Sequence, residues 1–360
     1  MKTESINAMV FQGGGAFGAY EYGAFKALWD QGVTPNIVTG VSIGAVNAAV
    51  VAGCRNNDPP AALDALWSRI SAVPMPGLPQ GLHHLLSLSF NPGMYYTNPG
   101  LFFSPLTQTH FAVTTLLENT LNDLVDWDKL NDGPMRLAVT ATNVETGLLE
   151  VFANYDGAAA TADGPSKRRR ISALHILASG ALPPGFPMVE IDHQFYWDGG
   201  LFDNTPLKPA FRALNGYQDS PDKQYRRSVY VFSLFPHRGV VPKNMLEVND
   251  RKMSISFESK IDFDRKMYEK INSFREFAQK MDQSLPTDSP LREDPGFKDL
   301  LSYQPVPPPV FIELTEKYSL RELALVPGTD FTRETILKRS ETGYRIARET
   351  LDKVGQSPGG

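Results

Sequence analysis

Through the first half of the chain, apolar residues fall in short β-branched runs that alternate with longer stretches of helical spacing. Ile6 to Phe11 predicts a strand, residues 19–30 a helix, residues 36–41 a second strand and residues 43–54 a helix rich in Ala and Val. Another helix is expected from Pro60 to Ile70. This alternation predicts a parallel or mixed sheet covered by helices. Residues 71–104 interrupt it with two Pro/Gly-punctuated segments, VPMPGLPQG and NPGMYYTNPGLF, around GLHHLLSLSF. A long connection of this kind is either a wall or lid of a cleft or a fixed surface excursion, and the pattern leaves both open.

Helical spacing returns in residues 105–130, after which MRLAVTATNV and LLEVFAN read as two strands joined at Glu145-Thr146-Gly147. ISALHILASG reads as a helix ended by Gly180 and the Pro183-Pro184 pair that follows. MVEIDHQFYWDGG alternates as a short hairpin does, and SVYVFSLF near 228–235 is expected to complete the sheet. In the last third, residues 250–281 and ETILKRSETGYRIARETLDKV carry charged and aromatic residues at helical spacing. Between them lie the Pro-rich QPVPPPV, read as a rigid connector, and a candidate strand, FIELTEK. The simplest partition is a catalytic domain over residues 1–240 and a mainly helical extension over 241–360, packed on or beside it.

Composition narrows the partners more than the fold. With 360 residues, 42% hydrophobic and 21% charged, the chain has the make-up of an ordinary folded protein. Its 35 basic and 40 acidic residues leave a net charge of −5, which offers no general attraction for nucleic acid. The local exception, Lys167-Arg168-Arg169-Arg170, reads as a solvated loop end with no catalytic role. One cysteine, Cys54, excludes an internal disulfide and any multi-thiolate metal site, and it reads as a buried structural residue. The start of the chain lacks a signal-peptide core, and no stretch approaches the ~20 apolar residues of a membrane span. The expectation is a soluble cytoplasmic protein, compatible with peripheral contact at a membrane. The amphipathic C-terminal segments leave homo-oligomer contact open.

The candidate chemistry starts at Gly40-Val41-Ser42-Ile43-Gly44, where a β-branched run meets a small-residue helix. A strand–turn–helix with flanking glycines makes an elbow that presents a serine hydroxyl above a sheet, where a nucleophile belongs. Upstream, Gly13, Gly14 and Gly15 leave the first strand and precede a helix, so their N–H groups suit an oxyanion or a phosphate. The loop lacks the Gly-Lys-Ser/Thr ending of a P-loop and does not match the dinucleotide fingerprint. Asp198 sits in an Asp-Gly-Gly turn, either as a base for Ser42 or as the carboxylate that holds its own turn. The six histidines are His83, His84, His110, His175, His193 and His237; their order also permits a Ser42, Asp198 and His237 triad. They form no HExxH metal motif, so neither a metal nor another cofactor is expected.

With these blocks in place, the chain resembles the patatin-like phospholipase family. ASGALPPGFPMVEI before Asp198 is similar to a bacterial branch of that family. The resemblance implies a three-layer α/β/α fold around a mixed sheet and hydrolysis of lipid acyl esters by a Ser–Asp dyad, with no catalytic histidine and no metal. It places the nucleophile on Ser42, its aspartate on Asp198 and the oxyanion loop on Gly13, Gly14 and Gly15. Gly14 and Gly15 are the expected donors, and Gly18 closes the motif. Two positions depart from the family pattern: Phe17 stands where many members have Arg or Lys, and Gln12 where they often have Asp. Loss of that basic side chain favours neutral acyl esters and leaves the headgroup open.

The expected function is therefore a serine acyl-ester hydrolase of the phospholipase A, lysophospholipase or carboxylesterase type, acting through an acyl-serine. An acyltransferase using the same acyl-serine and a noncatalytic lipid-binding or scaffolding protein are the alternatives. Leu82 to Phe90 is a candidate acyl-chain or membrane-touching segment, and Phe102 and Phe103 are candidates for the cavity entrance.

Overall fold

The computed structural model describes residues 2–72, 89–161, 164–220, 222–235, 239, 241–258, 261–302, 307–314 and 327–355. His83, His84, His237, Leu82 to Leu88 and the end of FIELTEK lie outside them. Among the described residues the main sheet has eight strands: β1 (Lys2–Phe11), β2 (Ile37–Gly40), β3 (Arg136–Asn143), β4 (Leu149–Ala153), β5 (Val189–Ile191), β6 (Gln194–Asp198), β7 (Lys223–Ser233) and β8 (Val310–Glu313). The principal helices are α1 (Gly18–Asp30), α2 (Ile43–Ala52), α3 (Pro59–Arg69), α4 (Thr115–Leu124), α5 (Trp127–Asp132) and α6 (Ala173–Ser179). They continue with α7 (Leu207–Asn215), α8 (Met245–Glu258), α9 (Ile261–Ser284), α10 (Pro295–Ser302) and α11 (Arg333–Gly355).

β8, β7, β1, β2 and β3 run side by side and parallel. A parallel sheet needs cover on both faces, and the alternation in β1 supplies it. Met9 and Phe11 pack with Phe25, Val46, Trp67 and Ile336 on one side. Ile6, Ala8 and Val10 pack with Leu207, Phe211 and Leu214 of α7 on the other, where Tyr268 of α9 brings its ring centroid to 4.0 Å from that of Phe211. The result is the expected three-layer α/β/α arrangement around a mixed sheet.

The sheet turns mixed at β3, and this positions the site. β4 pairs antiparallel with Ala138 to Thr142 and so occupies one edge of β3. β2 and β6 must therefore share the opposite edge. β2 runs parallel to β3 and ends with Gly40 opposite Val139; β6 runs antiparallel and ends with Asp198 opposite Ala141. The two strands thus meet head-on, their last residues two β3 positions apart, about 7 Å at the rise of a strand.

SVYVFSLF does not complete the sheet. The strand begins at Lys223 and lies inside, because Val310 to Glu313 pairs in parallel with Tyr230 to Ser233 and forms the edge. The 71–104 excursion contributes Phe90–Asn91 and Tyr95–Thr97 to a separate small sheet that Ala112–Val113 completes. Arg168 and Arg170 pair with Asp132 and Arg169 with Asp192 at the surface, as suits a solvated loop end. Cys54 is buried.

Past residue 240 the chain returns to the sheet and to the first helix. α11 lies so close to α1 that a Cβ on Gly343 would collide with the Tyr20 carbonyl, and one on Gly23 with the Ser340 carbonyl. Arg339, 2% exposed, holds its guanidinium 4.7 Å over the Phe17 ring, a cation–π contact in a desolvated setting. Backbone-to-backbone packing of this kind leaves no side chain to yield. Gly343→Ala is expected to cost about 2–3 kcal/mol of stability, measured as a lower midpoint in urea unfolding.

Candidate active site

The elbow after β2 is strained in the way its sequence suggests. Ser42 has φ 56° and ψ −128°, a left-handed conformation for a residue with a side chain, and it forms the N-cap of α2. Such a conformation costs of order 1–3 kcal/mol and persists only where its surroundings fix it. Here the Ser42 N–H donates to the Ser179 carbonyl at 3.0 Å and to Ser179 Oγ at 3.1 Å. Ser179 Oγ in turn donates to the Thr140 carbonyl at 2.7 Å, sealing the gap in the β3 ladder between the ends of β2 and β6. The flanking glycines are required by space: a Cβ on Gly40 would strike the Gly44 carbonyl, and one on Gly44 would stand 2.5 Å from the Gln12 and Phe11 carbonyl oxygens.

The glycine loop lies across from this elbow. Gly13 donates its N–H to the Asn204 carbonyl at 3.4 Å, and its carbonyl accepts from Asn204 Nδ2 at 2.9 Å. Among the described residues the N–H groups of Gly14 and Gly15 have no hydrogen-bond partner. Gly15 takes φ 57° and packs so tightly on Gly328 that a Cβ would meet its carbonyl oxygen. Gln12, fully buried, uses every polar group of its side chain: Nε2 donates to Thr205 Oγ1 and Oε1 accepts from the Leu234 N–H, both at 2.6 Å. Its own N–H donates to Glu21 Oε1 at 2.6 Å, while Glu21 Oε2 accepts from Asn47 Nδ2 at 3.0 Å. Burial holds the Glu21 carboxyl well above the ordinary range, opposed by these two hydrogen bonds.

Asp198 arrives at the end of β6. Its Oδ1 accepts from the Gly200 N–H at 2.7 Å, its N–H donates to the Ala181 carbonyl at 3.0 Å, and its carbonyl accepts from Thr142 Oγ1 at 3.0 Å. The Ser42 side chain stands beside this carboxylate and favours its ionised form. Burial pushes this carboxyl up to about 7; the hydrogen bonds from Ser42 and Gly200 pull it back, but less.

Ser42, Asp198 and the three loop glycines therefore line one cavity of about 180 Å³, whose walls include Val46, Met94, Leu117, Leu177 and Phe186. Residues past 240 close it with Phe257, Thr329 and Phe331. His110, His175 and His193 are not among its lining. His175 is held neutral, its imidazole lowered to about 4 chiefly by burial, and its Nδ1 accepts from the Ser172 N–H at the start of α6. Phe102 and Phe103, expected at the entrance, are not in the lining either and stand exposed. Among the described residues no group of three or more His, Cys, Asp or Glu is placed to hold a metal ion.

Sequence reading missed Ser179 and Asn204. Ser179 carries no local signal beyond lying before the helix-ending Gly180, and Asn204 none beyond following the Asp-Gly-Gly turn by a few residues. Both act across long sequence separations, which a motif does not encode.

A family model described as patatin-like phospholipase matches residues 9–211. No match was found among curated proteins. Among solved structures, VipD from Legionella pneumophila aligns at 16% identity and a TM-score of 0.38, covering 97% of this chain and 67% of that one. Human GIVD cytosolic phospholipase A2 aligns at 11% identity and a TM-score of 0.39, covering 96% of this chain and 58% of that one. The type III effector protein ExoU aligns at 14% identity and a TM-score of 0.37, covering 98% of this chain and 54% of that one. The chain thus spans between about half and two thirds of the length of these proteins.

The raised carboxyl of Asp198 has a sign in stability. The folded state binds this proton near pH 7, whereas the ordinary aspartate value is 3.8, so the native state holds more protons between the two. Stability from this group is complete below about pH 4 and is lost as pH rises through 7. Asp198→Asn, which keeps an acceptor for Gly200, is expected to raise the unfolding midpoint more at pH 8 than at pH 5. Urea melts of wild type and variant at the two pH values check it.

Proposed function

The chain belongs to the patatin-like phospholipase family, whose chemistry is lipid acyl hydrolysis, and we propose that here the reaction runs through Ser42 and Asp198 with an acyl-serine intermediate. The observation that carries this reading is the convergence of Ser42, the Gly14 and Gly15 N–H groups and a buried carboxyl raised to about 7 on the wall of one apolar cavity. A base with that value is both substantially ionised and basic enough to take a hydroxyl proton at neutral pH.

As the ester carbonyl carbon binds to Ser42 Oγ, the hydroxyl proton passes to Asp198 and the carbonyl oxygen becomes an oxyanion. The N–H groups of Gly14 and Gly15 receive that charge, with Gly13 shaping the loop, and the N-terminus of α2 adds its dipole. Collapse breaks the ester C–O bond, and the Asp198 proton leaves with the alcohol. Water then gives a proton to Asp198, attacks the acyl-serine and releases the fatty acid, returning the hydroxyl to Ser42. The apolar walls suit the acyl chain. Phe17 brings no charge to the loop, and Arg339 is buried behind the Phe17 ring, which favours neutral acyl esters over recognition of a phosphate. The catalytic unit is read as residues 1–240, with the helical extension over 241–360 lending part of the cavity wall.

A fluorophosphonate is expected to add once to the wild type, seen by intact mass, and not to Ser42→Ala. Hydrolysis of a short p-nitrophenyl ester is expected to fall at least about a thousandfold in both Ser42→Ala and Asp198→Asn. In the wild type, kcat/KM should rise with pH along a limb centred near the Asp198 value of about 7, because only the ionised carboxylate accepts the proton. A well-folded protein that takes no label and turns over no ester would make lipid binding without catalysis the better reading. Product analysis with added alcohols separates hydrolysis from acyl transfer.

A further inference from the structure

From Ile70 to Leu117 the chain has no Asp, Glu, Lys or Arg, although these residues form 21% of it overall. Within the described part of that run, residues 98–111 form a loop whose neck is closed by the Asn98 N–H donating to the Phe111 carbonyl at 2.8 Å. The inside of the loop is polar. Asn98, 6% exposed, donates through Nδ2 to Gln108 Oε1 at 3.0 Å and to the His110 carbonyl at 3.2 Å, and its Oδ1 accepts from the Gly100 N–H at 2.9 Å. Three large apolar side chains face outward: Phe102, Phe103 and Leu106, held on two short helical turns beside exposed Ser104 and Thr107, are 82%, 88% and 99% exposed. A loop that buries its amide and turns phenylalanine and leucine outward inverts the arrangement that water favours.

The loop also springs directly from the cavity wall. Met94 and Tyr95 precede it, Thr114 and Leu117 follow it, and all four line the cavity. Just past its neck, the Phe111 and Ala112 N–H groups donate to the Pro184 and Gly185 carbonyls at 2.9 Å, next to Phe186 of the cavity lining.

We propose that this loop enters the surface of an electrically neutral lipid membrane and seats the cavity there, so that a lipid reaches Ser42 from the bilayer; the proposal rests on the acyl-hydrolase reading above. The lack of charge argues for lipid over the other occupants of an apolar patch. Protein interfaces are ringed by charged as well as polar residues and anchored by Arg as well as aromatics, and surfaces that seek anionic lipid carry Lys and Arg; this loop has no Asp, Glu, Lys or Arg. Entry to the boundary between headgroups and acyl chains desolvates no charged side chain and covers the three exposed apolar ones.

The test uses the full chain carrying Ser42→Ala, so that no lipid is consumed, in flotation with vesicles of phosphatidylcholine alone or with phosphatidylserine added, at low and high salt. Binding to phosphatidylcholine vesicles is expected, changing less than about twofold with salt. It should fall at least about tenfold when Phe102→Ala, Phe103→Ala and Leu106→Ala are combined. The same three substitutions with Ser42 intact should leave turnover of a soluble short ester unchanged, which also reports that the variant is folded. A Phe103→Trp variant should lose its added fluorescence to brominated phosphatidylcholine, placing the tip among acyl chains. Absence of binding to neutral vesicles would overturn the proposal. So would binding that needs phosphatidylserine and vanishes with salt, equal binding by the triple variant, or an unquenched Trp at position 103. Vesicle binding and soluble-ester turnover are read separately, so failure of the acyl-hydrolase reading shows in the second and failure of the loop in the first.

Discussion

The structure depends on the free edge of β3. Because β4 fills one side of that strand, the other side must accommodate both the parallel strand that ends at Gly40 and the antiparallel strand that ends at Asp198. Two strands meeting head-on cannot continue, so each must leave the sheet at once. One does so by the strained turn at Ser42 and the other by the Asp-Gly-Gly turn, where a Cβ on Gly199 would collide with the Thr140 carbonyl. The unpaired carbonyl left in the gap would be costly if buried alone, and Ser179 satisfies it while holding the Ser42 backbone. Proximity of Ser42 and Asp198 is thus a property of strand register, settled before either side chain chooses a rotamer.

A second constraint fixes the glycine loop, which cannot hold itself because glycine gives up more conformational freedom than any other residue. Its rigidity comes from outside. Asn204 clamps Gly13 from the turn after Asp198, and Gln12 ties the end of β1 to Thr205 and Leu234. Glu21 and Asn47 tie that same point to α1 and α2, with Trp67 donating to Asn47 Oδ1 at 3.0 Å. The C-terminal part completes the enclosure, since Gly328 presses on Gly15 and Arg339 backs the Phe17 ring. The side chains of Gln12, Glu21, Asn47 and Asn204 all have partners in this cluster, and a bonded network in a medium of low dielectric is stiff.

What was legible in the sequence follows from the range of the forces involved. The strands at residues 6–11 and 36–41 and the helices after them announce themselves through local periodicity, and the elbow at Ser42 through glycines that sterics demand. The Asp-Gly-Gly turn was also visible, but residue spacing left its carboxylate either a base or a turn holder. The structure shows the turn-holding bond from Gly200 and sets the same carboxylate on one cavity wall with Ser42. Ser179, Asn204 and the wall residues Phe257 and Phe331 were not legible, because each matters through a partner more than a hundred positions away. The strand at 228–235 was read as the last of the sheet for the same reason: nothing in its own residues reveals that Val310 to Glu313 pairs with it.

The exposed loop at residues 98–111 shows the opposite failure of simple reading. Phe102 and Phe103 were expected at the cavity entrance, whereas both lie outside its lining and point away from the protein. The loop's relation to the site is electrostatic as well as geometric. If Asp198 is the base proposed above, a carboxyl near 7 is close to the useful limit at neutral pH: further desolvation makes the ionised form more basic but reduces how often it exists. An acyl chain filling an apolar cavity excludes water and pushes Asp198 in that direction. The hydrogen bonds from Ser42 and Gly200 oppose the push, and they stay in place because the register of β3 holds both residues. Under the proposed mechanism a drier cavity raises this carboxyl further, and the opposing hydrogen bonds limit that rise without cancelling it.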